Sequence, residues 1–203
     1  MTIMDIAPVE SDESAATWPI PPTDGYFAED LDALPDLPPH TELIDGSLVF
    51  VSPQVNFHRR VLRLFEAELT RQAPAEYEAV REMTITLGPK QRLEPDIMII
   101  DAVAETSRSQ STYQPQDVLL VVEVVSAESR VRDRERKPQI YAAAGIRVFW
   151  RVELLDGKAV VYAYELDPAT KQYVPTGIHH DRLTAAWPFA LDIDLTGIVL
   201  PEK

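Results

Sequence analysis

The sequence predicts an α/β fold, with a central β-sheet flanked by helices and followed by an antiparallel C-terminal meander. Three observations carry this expectation. Residues 117–125 (DVLLVVEVV) are almost wholly apolar, as in a strand covered on both faces. His58, Leu62, Phe65 and Leu69 recur at spacings of four, three and four, which is one stripe of a helix. Beyond Gly145, strand-like segments at 146–153, 158–165 and 172–176 are separated by turn signals at Asp156-Gly157 and Asp167-Pro168.

The remaining elements follow in chain order. Residues 1–25 hold Pro8, Pro19, Pro21 and Pro22 with acidic residues and no basic ones, the composition of a flexible tail. One domain is expected over residues 26–203. A short helix follows Asp24, across Tyr26 to Leu34, until Pro35, Pro38 and Pro39 break the chain. Residues 41–44 and 47–51 flank Asp45-Gly46, a two-residue hairpin signal. The helical pattern runs over 54–72, with Arg59, Arg60, Arg63 and Glu66 off the apolar stripe and Pro74 ending it. Residues 77–87 read as one strand turning at Gly88-Pro89, and 93–101 as the next. A helix from near Asp133 to Ala144 is capped by Gly145. A last strand lies near 189–195.

Composition narrows the function classes. Hydrophobic content of 45% and charged content of 26% are ordinary globular values. No cysteine occurs, so disulfides and thiolate metal sites are excluded, which fits a reducing cytoplasm. No apolar run approaches the roughly 20 residues that span a bilayer, and no basic-then-apolar signal opens the chain. No membrane partner is therefore expected. Lys plus Arg total 19 against 33 Asp plus Glu, a net charge of −14, which opposes nonspecific binding to nucleic acid unless positive charge is concentrated locally. The segment 130–137 (RVRDRERK) supplies such a concentration, with five basic residues against two acidic. Arg59, Arg60, Arg63 and Arg71 add a second cluster. Either is equally a solvated helix face laced with alternating charge.

Glu123 is the most informative single residue. It stands inside the apolar strand, where a carboxylate must be neutralised, ion-paired or bound to metal. Asp96 enters a second apolar strand directly after Pro95, which holds the chain extended and supplies no backbone donor. Alone it reads as a strand-end cap. Paired with Glu123 on a neighbouring strand, it makes a two-carboxylate site of hard oxygen ligands suited to Mg²⁺ or Mn²⁺. Glu42 shares a strand face with Ile44 and points inward. Lys137, Ile140, Tyr141 and Ala144 follow helical spacing, so Lys137 faces the sheet and either meets an anion or packs its stem and sends its head to water. His58 lies on an apolar stripe, either as a satisfied core histidine or as a proton carrier or phosphate contact.

These segments, taken in order, resemble a known family. Pro95-Asp96 with Glu123 in an apolar strand 27 residues on is similar to the PD-(D/E)XK nuclease signature. Adding Glu42 through Gly46, His58, Val122 through Ser126, Asp133, Lys137, Tyr141, Ala144 through Ile146, and Phe149-Trp150, the chain resembles the Uma-two family over about residues 26–195. The resemblance implies a restriction-endonuclease-like core, a mixed central sheet flanked by helices. It also implies a Mg²⁺- or Mn²⁺-dependent endonuclease that hydrolyses phosphodiester bonds of nucleic acid, DNA above all. Glu42, Asp96, Glu123 and Lys137 would be catalytic, Asp96 and Glu123 the metal ligands, His58 and Arg136 substrate contacts, and a homodimer possible. The plain signature puts its lysine two residues after the acid; Val125 stands there, and Lys137 is the replacement the resemblance offers. Two rival functions stay open: a non-catalytic binding or assembly module on the same fold, and a metal-dependent hydrolase of small phosphate esters.

Overall fold

The computed structural model describes residues 20–51 and 54–198. Of the tail expected over residues 1–25, residues 1–19 lie outside the described residues. The elements are α1 (Asp30–Ala33), β1 (Glu42–Ile44), β2 (Ser47–Val49), α2 (Asn56–Gln72), β3 (Tyr77–Arg81), β4 (Thr84–Gly88), β5 (Gln91–Leu93), β6 (Ile97–Asp101), β7 (Thr112–Tyr113), β8 (Val118–Val124), α3 (Lys137–Ala143), β9 (Val148–Leu155), β10 (Lys158–Asp167), β11 (Gln172–His179), β12 (Arg182–Ala185) and β13 (Leu191–Asp194).

Among the described residues, six strands form the central sheet in the order β11-β10-β9-β8-β6-β3. β8 pairs β9 parallel and β6 antiparallel, so the sheet is mixed, and β9 through β11 make the expected meander. Both faces of β8 are covered. Leu120, Val122 and Val124 pack with Phe57, Val61, Leu62, Phe65 and Leu69 of α2, and with β12 and β13. Val121 packs on the other side with Ile140 and Tyr141 of α3 and with Ile85 and Leu93 of a second, five-stranded sheet. That second sheet runs β2-β1-β5-β4-β7. Burying apolar surface on both faces is why the β8 sequence shows no alternation.

The Asp45-Gly46 hairpin forms as expected, with both residues at positive φ (53° and 77°). The chain before it is held there: Tyr26 N–H donates to Gly46 O at 2.8 Å, and Gly25 turns back on Pro22. Two sequence expectations are corrected. The segment 77–87 is two strands, broken at Glu82 (φ 51°) and placed in different sheets, β3 in the central one and β4 in the second. The segment 93–101 is likewise split at Glu94-Pro95-Asp96, where the chain leaves β5 and enters β6. Pro95 cannot donate to a ladder, so it suits a crossing between sheets. The short strands β7 and β12 had no separate sequence signal.

The helix expected near Asp133–Ala144 begins with a widened π-type turn, Arg132–Arg136, before α3. Pro138 explains it. A proline inside a helix lacks the N–H and its ring presses on the carbonyl four residues back, which is Arg134. Opening the turn relieves that contact, and Lys137 N–H donates to Arg132 O across five residues.

Candidate active site

The split between the sheets creates a cleft. It encloses about 190 Å³ and is lined from β1, the β5–β6 crossing, the end of β8, the start of α2 and the π-turn. Glu42, His58, Asp96, Glu123, Asp133 and Lys137 all face it. Asp96, directly before β6, stands beside Glu123 of β8: Ile97 pairs Val122 at the end of the ladder.

Lys137 is the centre of the cluster. Its Nζ lies 3.0 Å from Glu123 Oε2, 3.0 Å from Glu42 Oε1 and 3.5 Å from Asp133 Oδ1. Its side chain is 7% exposed, so the head is buried among carboxylates and does not reach water. Tyr141 donates its hydroxyl to the other oxygen of Glu123 at 2.6 Å. Glu42 Oε1 also accepts from Glu94 N–H (2.9 Å), which ties β1 to the crossing. Asp96 Oδ2 accepts from Val124 N–H (2.6 Å). His58 Nε2 lies 2.9 Å from Asp96 Oδ1, close enough for an ion pair but out of line for a hydrogen bond, and its Nδ1 is buried with no hydrogen-bond partner among the described residues.

Three carboxylates therefore share one ammonium, with Asp96 beside Glu123 in the same cleft. Burial pushes Glu123 well above the usual carboxylate range; Lys137 opposes this, and Asp133, Asp96 and Glu42 reinforce it. Burial likewise raises Asp133 against the pull of Lys137. Burial alone would lower Lys137, but Glu123, Glu42 and Asp133 outweigh it and hold the ammonium charged. The cluster thus keeps its cation and takes up an extra proton more readily than separate carboxylates would. At the rim, His40 bonds Glu94 at 2.5 Å and is raised by that bond, while burial raises Glu94 despite it.

Arg136 is not brought to the cleft. Its guanidinium grips both oxygens of Asp45 at the hairpin turn. Two more arginines of the basic segment are ion-paired: Arg132 with Glu128 and Arg134 with Glu153. Sequence reasoning passed over Asp133 and Tyr141 as site groups. The signal for both was the spacing from Lys137, four residues back and four on, which places all three on one helical side.

Residues 28–196 match the Uma2 family, described as "Putative restriction endonuclease". The chain belongs to the Uma2 family. Among solved structures, this Uma2 chain is similar to one from Anabaena variabilis ATCC 29413, described as a "putative nuclease belonging to DUF820". The TM-score is 0.60 at 15% identity, covering 84% of this chain and 95% of that one. The fold of this Uma2 protein is therefore restriction-endonuclease-like. NucC of E. coli MS115-1, in its apo form, is a more distant likeness: TM-score 0.36, 9% identity, 60% of this chain and 75% of that one, too remote to bear on the fold. No curated protein matches the chain. No helix among the described residues is long and apolar enough to cross a membrane.

The Uma2 cleft suits a hard divalent ion in its donor chemistry, with four carboxylates against one ammonium. No group of three or more His, Asp or Glu among the described residues is arranged to hold a metal ion. Asp96 and Glu123 are the two carboxylates that could hold such an ion, with water completing the shell, and Mg²⁺ is commonly bound through one or two carboxylates.

Proposed function

We propose that this chain is a divalent-metal-dependent endonuclease that hydrolyses phosphodiester bonds of DNA in the cleft between its two sheets. The observation that carries the proposal is the meeting of Glu42, Asp96, Glu123 and Lys137, from four separate elements, in one cleft of a Uma2 chain. Asp96 and Glu123 would hold Mg²⁺ or Mn²⁺, with Glu42 in support. Such an ion, when bound, polarises a phosphate and lowers the pKa of a coordinated water.

The chain's own residues supply the rest. Lys137 sets a compact positive charge beside the carboxylates, where it would offset charge growing on the phosphate and orient the attacking water. A planar guanidinium could not place its charge in the same small volume. Tyr141 fixes Glu123 in one rotamer, and His58 stands against Asp96, placed to carry a proton or meet a phosphate oxygen. No side-chain nucleophile is required.

A second reading has one observation in its favour. Most oxygens of the four carboxylates already have an internal donor or cation, as expected of a structural ion cluster in a non-catalytic relative. Plasmid nicking with Mg²⁺ or Mn²⁺ separates the two. The nuclease reading expects cleavage that Asp96→Asn abolishes and that Lys137→Ala lowers on the order of 10²-fold. Cleavage of equal rate in the wild type and Lys137→Ala removes Lys137 from the chemistry. A folded wild type that never cleaves supports the structural reading.

A further inference from the structure

The π-turn and α3 have two working sides. Asp133 and Lys137 face the cleft, while Arg134, Pro138 and Ala142 line a separate groove against β9, β10 and β11. The two hollows share no lining residue, and the groove is the larger, about 680 Å³. That is within the range of sites that hold a ligand of nucleotide size.

Its chemistry differs from the cleft's. Arg134, Arg151 and Lys171 bring three cations to it, against two carboxylates: Glu135 in the lining and Glu153, which pairs with both guanidiniums. Arg134 and Arg151 both bond Glu153, which fixes the two guanidiniums side by side. Arg134 bonds through Nε and Nη2 and Arg151 through Nε, leaving the terminal nitrogens of Arg151 free of hydrogen bonds to other described residues. Arg151 lies over the rings of Tyr162 and Tyr164, at 4.8 and 5.6 Å. Behind it Phe149 is stacked between Tyr164 and Tyr173, at 5.7 and 5.4 Å. In a chain of net charge −14, this is a local excess of cations set in an aromatic wall.

We propose that the groove is a subsite for the substrate strand, taking a nucleotide that flanks the one held in the cleft. Its phosphate would meet Arg134, Arg151 and Lys171, and its base would lie against Tyr164 and Tyr173. Cations beside aromatic rings are the means by which proteins hold single-stranded nucleic acid without reading its sequence. The subsite rests on the nucleic-acid reading above and answers its main objection, since it gives an acidic protein a place to grip phosphate.

The test is binding, not cleavage. A fluorescein-labelled oligodeoxythymidine is titrated with the full chain in the absence of divalent metal, and anisotropy is read at several salt concentrations. The double variant Arg134→Gln, Lys171→Asn should bind about tenfold more weakly. Its log–log salt slope should be shallower by about 1.4, two phosphate contacts at about 0.7 each. Asparagine suits the positive φ of Lys171 (54°), and Arg151 remains on Glu153, so the fold is spared, which thermal melts check. Arg63→Gln, on the exposed side of α2, should change little. Equal affinity and slope in wild type and double variant overturn the subsite and leave the nuclease reading standing. No binding by the wild type also overturns it. Weakened binding by the variant, with a wild type that never cleaves DNA, sustains the subsite and removes the nuclease reading.

Discussion

Tyr141 and Asp133 show how much of the site depends on residues that hold other residues. The Tyr141 hydroxyl is buried and donates to Glu123 at 2.6 Å. Tyr141→Phe keeps the ring and strips one carboxylate oxygen of its donor. Such a loss at a buried charged acceptor costs about 1–3 kcal/mol, to be read from urea denaturation. A midpoint unchanged from wild type would mean that water replaces the hydroxyl. Asp133 carries a different prediction, one in pH. Its pKa is raised in the fold by burial, with Lys137 and Ser129 opposing, so the native state binds the proton more tightly than the unfolded chain does. Its ionisation therefore costs stability: the cost is absent below the ordinary aspartate value near about 4 and grows as pH rises above it. Asp133→Asn removes that cost. Thermal melts should show the variant more stable than wild type at neutral pH, with the gain shrinking as pH falls toward about 4. A gain of the same size at both ends would place its origin in packing.

Among the elements, turns and helix ends were the most legible. Asp45-Gly46 specified its hairpin because only residues tolerant of positive φ fit there. The hairpin also anchors the chain before it. A Cβ on Gly25, at φ +76°, would stand 2.7 Å from Gly46 O. Gly25→Ala should cost about 1–3 kcal/mol, seen as a lowered Tm. A Tm equal to wild type would show that this attachment contributes nothing to the folded state. The π-turn was not read from the sequence: the widened turn that carries Asp133 and Lys137 to one side needs the packing of Tyr141 and Ile140 on the sheet to define it. The strand at 77–87 was misjudged because nothing at Glu82 or Met83 breaks β propensity. Its two halves differ only in the partners they find, Ile97–Asp101 for one and Gln91–Leu93 for the other.

For the whole molecule, the central question is whether the crowded carboxylates accept a cation. Mn²⁺ that binds the folded chain alone stabilises it by mass action, about 2.7 kcal/mol at a hundredfold excess over Kd. Thermal melts with Mn²⁺ should rise in wild type and stay flat in Asp96→Asn; the same rise in both would move the ion elsewhere. In the C-terminal region the aromatic side chains of Phe149, Trp150 and Phe189 are buried in the core. By itself the sequence determined the α/β class, the doubly covered strand, the helices that flank it and the meander. These follow from periodicity and turn chemistry, which act over a few residues. It also singled out Asp96, Glu123 and Lys137, because a charge in an apolar stretch is conspicuous wherever the stretch ends up. Only the tertiary structure decided that β5 and β6 part company at Pro95, that Glu42 and Asp133 join the same ammonium, and that Arg136 is claimed by Asp45 instead. Those outcomes depend on contacts between residues tens of positions apart, where the energy of burial and ion pairing selects one partner among several that local chemistry allows.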